Sequence, residues 1–350
     1  MSLKLSATVM AALVAVSGFT SATVANAQDR VRWRMHSTYS HALPVAGKTA
    51  FEIGETVNTI SGGSFDIRVF EPGALVNGAA YYDAVSKGSI DAAYGSPGFN
   101  AGKNSAYPFF AAIPFGPGAG EMLAWLRHGG GLEIAQDLYA RDNIHMLACG
   151  ILPPESAGWF KKEIKSLDDL KGIKMRFLGL GAKVMEKFGV STQLLAPGEV
   201  YQALELGTLD AAEQSIPAID RGLGFYQIAK FNYFPGWHQQ STVQELLINM
   251  DSWNALSDAQ RTMVNLACDK ATIDQFADGE AMEFAIMQQN EEDGVQIKIW
   301  PEEFLAAFRD AWEEVIAEET ATNPDSKRVW DSLQAYRKNY EVWGDAAYLD

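Results

Sequence analysis

One eleven-residue pattern occurs twice in this sequence, and it constrains the fold more than any other feature. Ala84-Val85-Ser86-Lys87-Gly88-Ser89-Ile90-Asp91-Ala92-Ala93-Tyr94 matches Ala203-Leu204-Glu205-Leu206-Gly207-Thr208-Leu209-Asp210-Ala211-Ala212-Glu213, 119 residues later. Each copy reads as a helix end, a glycine able to adopt left-handed capping geometry, and a short strand. Two such copies predict two similar lobes. Tyr94 and Glu213 then hold equivalent places, just past a strand and near the rim between lobes.

The surrounding periodicity fits that division. Residues 31–35 and 65–70 alternate as strands, and 47–60 between them has amphipathic helical spacing. Strand, helix, strand opens an α/β domain with a parallel sheet. A second run follows, with strands at 144–150 and 172–177, a helix at 182–188 and an extended piece from Gly189. Beyond Leu246 the pattern turns helical. Ser257 caps a helix from Ala259 towards Gln288, long enough to bend or to span both lobes. Residues 296–300 form a short strand, and Pro301 opens a helix with Phe304, Phe308, Trp312 and Ile316 on one face. That stripe reads as core packing. Asn323-Pro324 ends the helix, and a last one runs from Trp330 to Tyr340.

Residues 1–27 read as an export signal: Lys4 is their only charge, an apolar run spans 9–16, and Ala25-Asn26-Ala27 suits a signal peptidase. The remaining 323 residues exceed what one core supports, so two domains are expected. A formal charge of −16 gives no footprint for nucleic acid or an anionic membrane surface. Cys149 and Cys268 either pair or serve as small buried hydrophobes, and the second reading is favoured.

At this stage the sequence resembles the periplasmic substrate-binding subunits of TRAP transporters, the DctP-like group, in the branch binding 2-oxo acids and other small carboxylates. The resemblance is carried by Phe70-Glu71-Pro72-Gly73-Ala74-Leu75, Gly158-Trp159-Phe160, Leu170-Lys171-Gly172-Ile173-Lys174-Met175-Arg176, the second eleven-residue copy, and Tyr233-Phe234-Pro235-Gly236-Trp237. It implies an α/β, two-lobe periplasmic binding protein with its ligand enclosed at the hinge, and a separate membrane permease as partner. The expected layout is a signal at 1–27, lobe 1 at 28–148, lobe 2 at 149–238, a return to lobe 1 with a long connecting helix at 239–295, and C-terminal elements at 296–350 on lobe 2 and the hinge. Some relatives dimerise through a long C-terminal helix. With the chain stopping at Asp350, little room is left for one, and a monomer is expected.

Arg176 is the expected substrate anchor. Its guanidinium offers a fixed fork of donors that matches a carboxylate, at the carboxyl end of a strand where open α/β sheets present ligands. The resemblance places cation ligands at Glu213, the following residue Gln214 and Glu155; at the last of these, relatives commonly have Gln. Two carboxylates in one cleft repel unless a proton or cation lies between them, and hard oxygen ligands with extra charge favour Ca²⁺ over Na⁺. Gln239 falls where a 2-oxo-acid relative has Glu. Trp237 is a candidate pocket wall, Phe99 lies near a relative's Tyr, and His36 follows the first strand within reach of a ligand. The other histidines show no spacing of a metal cluster.

Two rival readings follow from the same residues. Glu155 and Glu213 would also suit a zwitterion or small amine without a metal. An enzyme would need them as an acid–base pair, but the sequence has no dinucleotide fingerprint, Walker loop, His-Glu-x-x-His or Gly-x-Ser-x-Gly. The reading carried forward is therefore a non-enzymatic receptor for a small 2-oxo or 2-hydroxy carboxylate.

Overall fold

Alternation sets the first strand: in β1 (Val31–Ser37), Trp33 and Met35 are buried while Arg32 and Arg34 face solvent. The computed structural model describes residues 30–348, so the expected signal at 1–27 lies outside the described residues. After β1, α1 (Ala46–Ile60) crosses to β2 (Phe65–Phe70), which pairs parallel with β1. The first eleven-residue copy then forms the end of α2 (Tyr81–Ser86), a turn at Gly88 (φ 68°) and the start of β3 (Ala92–Gly95). Next come α3 (Ala119–His128), α4 (Gly131–Ala140) and β4 (Ile144–Leu152).

The second lobe repeats the scheme. It holds β5 (Gly158–Phe160), β6 (Lys174–Arg176), α5 (Leu180–Lys187), β7 (Ser191–Gln193) and α6 (Pro197–Glu205). Gly207 (φ 75°) turns the second copy into β8 (Ala211–Ala212), followed by α7 (Pro217–Gly222), α8 (Phe225–Ile228) and β9 (Phe231–Phe234). The chain returns through β10 (Thr242–Asn249), α9 (Met250–Asn254) and α10 (Asp258–Glu292), and ends with β11 (Gln296–Ile299), α11 (Glu302–Thr322) and α12 (Pro324–Ala347). One sheet has the order β2-β1-β3-β10-β4, the other β11-β9-β5-β8-β6-β7.

Four crossings join the lobes, the last of them the step from α11 to α12. β4 leaves the first sheet after Leu152 and β10 enters it at Thr242, and these two residues are paired partners in an antiparallel ladder. β4 stays paired and buried to its end at Leu152, and β10 joins its ladder at Thr242. The third crossing is α10, 35 residues without a break and about 50 Å long at 1.5 Å per residue. It packs on β4 and α1 in the first lobe and on α7 and β11 in the second. Ser257 and Gln260 close a capping box at its start.

One expectation changes. Cys149 on β4 and Cys268 on α10 are joined in a disulfide, with Cα atoms 4.3 Å apart, where the sequence favoured unpaired thiols. The packing of α10 along β4 brings them together, and no local spacing encodes it. The C-terminal segment also divides. Within it, α11 packs on α5 with Phe304, Phe308, Trp312 and Ile316 buried, whereas α12 packs on α3 and α4 of the first lobe. Asp325 on α12 pairs with Arg141 at 2.7 Å and Arg328 with Asp137 at 2.9 Å, and Ser332 accepts from Trp125 Nε1 at 3.2 Å.

Candidate functional site

The paired crossings decide where the site forms. Glu155 sits just past β4, and Gln239 and Thr242 just before and at the start of β10. Thr242 Oγ1 donates to Glu155 Oε1 at 2.6 Å and Gln239 Nε2 to the same oxygen at 3.2 Å; Glu155 N donates to the Gln239 carbonyl at 3.1 Å. These contacts span more than 80 residues of sequence, yet the ladder makes them neighbours.

The second half of the site comes from β6 and β8. Their parallel register sets Arg176 opposite Ala212, so Glu213 emerges beside the arginine. Arg176 Nη1 lies 3.1 Å from Glu213 Oε2 and donates to the Glu213 carbonyl at 2.5 Å, and Nε donates to the Leu195 carbonyl at 3.3 Å. Leu178 N donates to Glu213 Oε2 at 2.9 Å, and His238 Nε2 stands 3.3 Å from Glu213 Oε1. Glu155, Glu213 and His238 place ligand atoms within 4.8 Å of one another. No spacing in the sequence marks His238 as part of a metal cluster, because its partners are 25 and 83 residues away and meet it only in the folded cleft.

The two carboxylates sit in opposite electrostatic states. Burial pushes the Glu155 carboxyl well above the usual range, and the negative charge of Glu213 adds to it. Burial also opposes ionisation of Glu213, but the neighbouring His238 imidazole, the Arg176 charge and the Leu178 N–H outweigh it and hold its carboxyl below the usual range. A third carboxyl, Asp220 on α7, accepts from Trp159 Nε1 at 2.7 Å and is driven well upward by burial.

Unsatisfied atoms define what the site fits. Glu155 Oε2, Glu213 Oε1, Gln214 Oε1 and Gln239 Oε1 are buried oxygens with no donor, and Arg176 Nη2 is a buried donor with no acceptor. Buried polar groups are normally paired, at a cost of about 1–3 kcal/mol each when they are not. A cluster of orphaned oxygens suits a cation, and the orphaned guanidinium edge suits an anion beside it. Glu155, Gln214, Gln239 and Phe99 line a closed cavity of about 10 Å³, together with Tyr39, Thr242 and Gln244. That is room for about one water, so an organic acid enters only when the lobes separate.

Not every expected residue converges there. Trp237 is stacked on Phe115 at 5.7 Å and packed on Phe308 at 4.9 Å, in the core instead of the cavity wall. His36 lines a separate groove of about 570 Å³ between Glu71 and the start of α6, its ring stacked on Tyr81 and its pKa lowered to about 4 by burial. Tyr39, Thr242, Gln244 and Asp220 had no signal in the sequence; each reaches the site from a strand end, loop or helix whose local pattern reads as ordinary.

Residues 36–323 match the family described as bacterial extracellular solute-binding protein, family 7. A monocarboxylate 2-oxoacid-binding periplasmic protein of Nostoc sp. is 32% identical over 96% of this chain and 92% of its own length. A TRAP transporter solute-binding protein from Bordetella bronchiseptica, a mixed-occupancy dimer with copurified calcium and picolinate in one site, is 33% identical, with a TM-score of 0.88 over 91% of this chain and 94% of that one. A TRAP periplasmic solute-binding protein from Pseudoalteromonas atlantica with bound sodium and pyruvate is 28% identical, with a TM-score of 0.87 over 91% and 97%.

Proposed function

This chain belongs to the bacterial extracellular solute-binding proteins of family 7, and we propose that it captures a 2-oxo or 2-hydroxy monocarboxylate together with one Ca²⁺ ion. It is the solute-binding component of a TRAP transporter, not an enzyme; it binds a small organic acid and works with a membrane permease. No helix among the described residues is long and apolar enough to cross a membrane, and the periplasm is the compartment we assign.

The observation that carries this reading is the set of orphaned atoms: oxygens of Glu155, Gln214, Gln239 and Gln244, residues that line the closed cavity, with Glu213 Oε1 and a free Arg176 Nη2 also unpaired. Arg176 Nη2 would take the acid's carboxylate, while Glu213 remains fixed by Nη1 and Leu178 N. Glu155, Glu213 and Gln214 would supply oxygens to the cation, and a 2-oxo or 2-hydroxy oxygen would complete its shell. Charge favours Ca²⁺ once the bound cation draws the proton off Glu155: Glu155, Glu213 and Arg176 then sum to −1, and a monocarboxylate with Ca²⁺ brings these groups to neutrality, whereas Na⁺ leaves them negative. Gln239 and Thr242 orient Glu155, and His238 orients Glu213. Closure stabilises the complex because each buried charge then meets a partner in place of lost water.

The test is identification of what the exported protein carries when purified without added ligand, by mass spectrometry of the released solute and elemental analysis. A monocarboxylate with about one calcium per chain is expected. An amine or zwitterion with no metal would transfer Glu155 and Glu213 to direct ligand contact and overturn the cation reading.

A further inference from the structure

A groove of about 570 Å³ lies between the lobes, apart from the closed cavity. Glu71, Pro72 and Gly73 after β2 form its first-lobe wall, and Pro197, Gly198 and Glu199 in the first turn of α6 its second-lobe wall. The groove is whole only when the lobes meet. Gly222 of the second lobe abuts Pro44 of the first so closely that a Cβ on it would lie 2.9 Å from the proline ring. A Cβ built on Gly73 or Gly198 meets nothing within 4 Å, so both present bare backbone.

The charge of the groove has one sign. Glu71 and Glu199 come from opposite lobes, and no lysine or arginine lines the space with them. Among the described residues the Glu71 carboxylate accepts only from the His41 N–H, at 3.2 and 3.3 Å, and that of Glu199 only from the Ala196 N–H, at 3.1 Å. Exposed glutamates alone would be a solvated face. His36 sets this groove apart: it is 1% exposed, lines the same space, and its Nδ1 is buried without a partner. Buried nitrogens are normally hydrogen-bonded, and an occupant rich in N–H donors satisfies imidazole and carboxylates together. We propose that the membrane permease reads the closed, loaded protein here, by placing a lysine- or arginine-bearing segment between Glu71 and Glu199. Only closure brings these two carboxylates to one groove, where like charges repel. A cationic side chain relieves that repulsion, so docking and closure favour each other. An anionic lipid surface is repelled by the same charges. Docking of this kind requires the permease partnership and is independent of which acid or ion fills the cavity, whose lining residues are all different.

The test is binding of the exported protein, as purified with its own solute, to the purified permease of the same transporter in lipid nanodiscs. Glu71→Gln and Glu199→Gln are each expected to weaken binding by about tenfold, and Glu71→Lys/Glu199→Lys by about 100-fold or more, with wild-type affinity falling as salt rises. Glutamine keeps an acceptor for the His41 and Ala196 N–H groups, so thermal melts and solute content should match the wild type. Permease affinity unchanged in Glu71→Gln/Glu199→Gln would overturn the proposal, as would a wild type that does not bind the permease. Loss of solute together with loss of docking would overturn it too, because the glutamates would then serve the solute.

Discussion

Tyr94 and Glu213 end the two copies of one backbone pattern, and their surroundings differ as much as two buried sites can. Both come after a helix and a glycine at positive φ, but Tyr94 lies within its strand, paired with Ser37, where the sequence placed it just past the strand, whereas Glu213 lies just past its own. In the first lobe the Tyr94 hydroxyl accepts from Gln275 Nε2 at 2.9 Å, and α10 lies over it. In the second, Glu213 lies beside Arg176 and His238. The repeated scaffold thus fixes where a side chain leaves the sheet, while its neighbours decide its chemistry. The first lobe does bury a carboxylate, Glu245, but neutralises it differently: Tyr139, Asn100 and Tyr81 donate to it, no cation is beside it, and burial raises its pKa to about 8. A proton does in one lobe what a guanidinium does in the other.

The largest effect that would test this contrast is at the ion pair. Arg176→Met should lower acid affinity by about 100-fold or more and cost about 3–5 kcal/mol of stability, because it strands the Glu213 charge in the interior. Arg176→Met/Glu213→Gln should recover most of the stability and none of the binding. Calorimetry paired with thermal melts reads both; recovery of binding by the double variant would mean that Arg176 only neutralises Glu213.

A smaller effect should appear with pH at Glu245. Its carboxyl is raised in the fold from 4.5 to about 8, so the folded state holds a proton that the unfolded chain releases. Stability from this group is therefore fully present below about pH 4.5 and is lost as pH rises towards 8, at about 1.4 kcal/mol for each pH unit in between. Glu245→Gln should show a flatter decline than the wild type in denaturant titrations across that window. Equal slopes would mean the three hydroxyl and amide donors already hold Glu245 ionised.

Smallest of all should be Tyr94→Phe. It removes an acceptor from Gln275 Nε2, which keeps Thr49 Oγ1 at 3.0 Å, so a loss of about 1 kcal/mol is expected with acid affinity changed by less than about twofold. A large drop in affinity would show that the first copy also serves the ligand.

Much of this was legible in the sequence, for identifiable reasons. The doubled pattern, the strand alternation and the helix caps are local signals, and each copy's glycine marked its turn. The register of β6 on β8 makes Arg176 and Glu213 neighbours, and both ended conspicuous motifs. What was not legible depends on contacts between distant segments. The disulfide needs α10 laid along β4, and Thr242 and Gln244 need β10 paired with β4. His238 reaches Glu213 from a turn after β9, and Trp237, one residue earlier, points instead into the aromatic core. Adjacent residues on a turn diverge, and composition alone does not say which faces the ligand.

The central claim is that acid and cation bind as one neutral unit in this cleft. Stripped of metal with a chelator, the protein would be titrated with pyruvate by calorimetry in calcium, in sodium alone, and in neither. Affinity should be greatest in calcium, at least roughly tenfold weaker in sodium, and lost without both, with pyruvate tightening calcium binding by the same factor as the reverse. Equal pyruvate affinity in all three solutions would contradict the account.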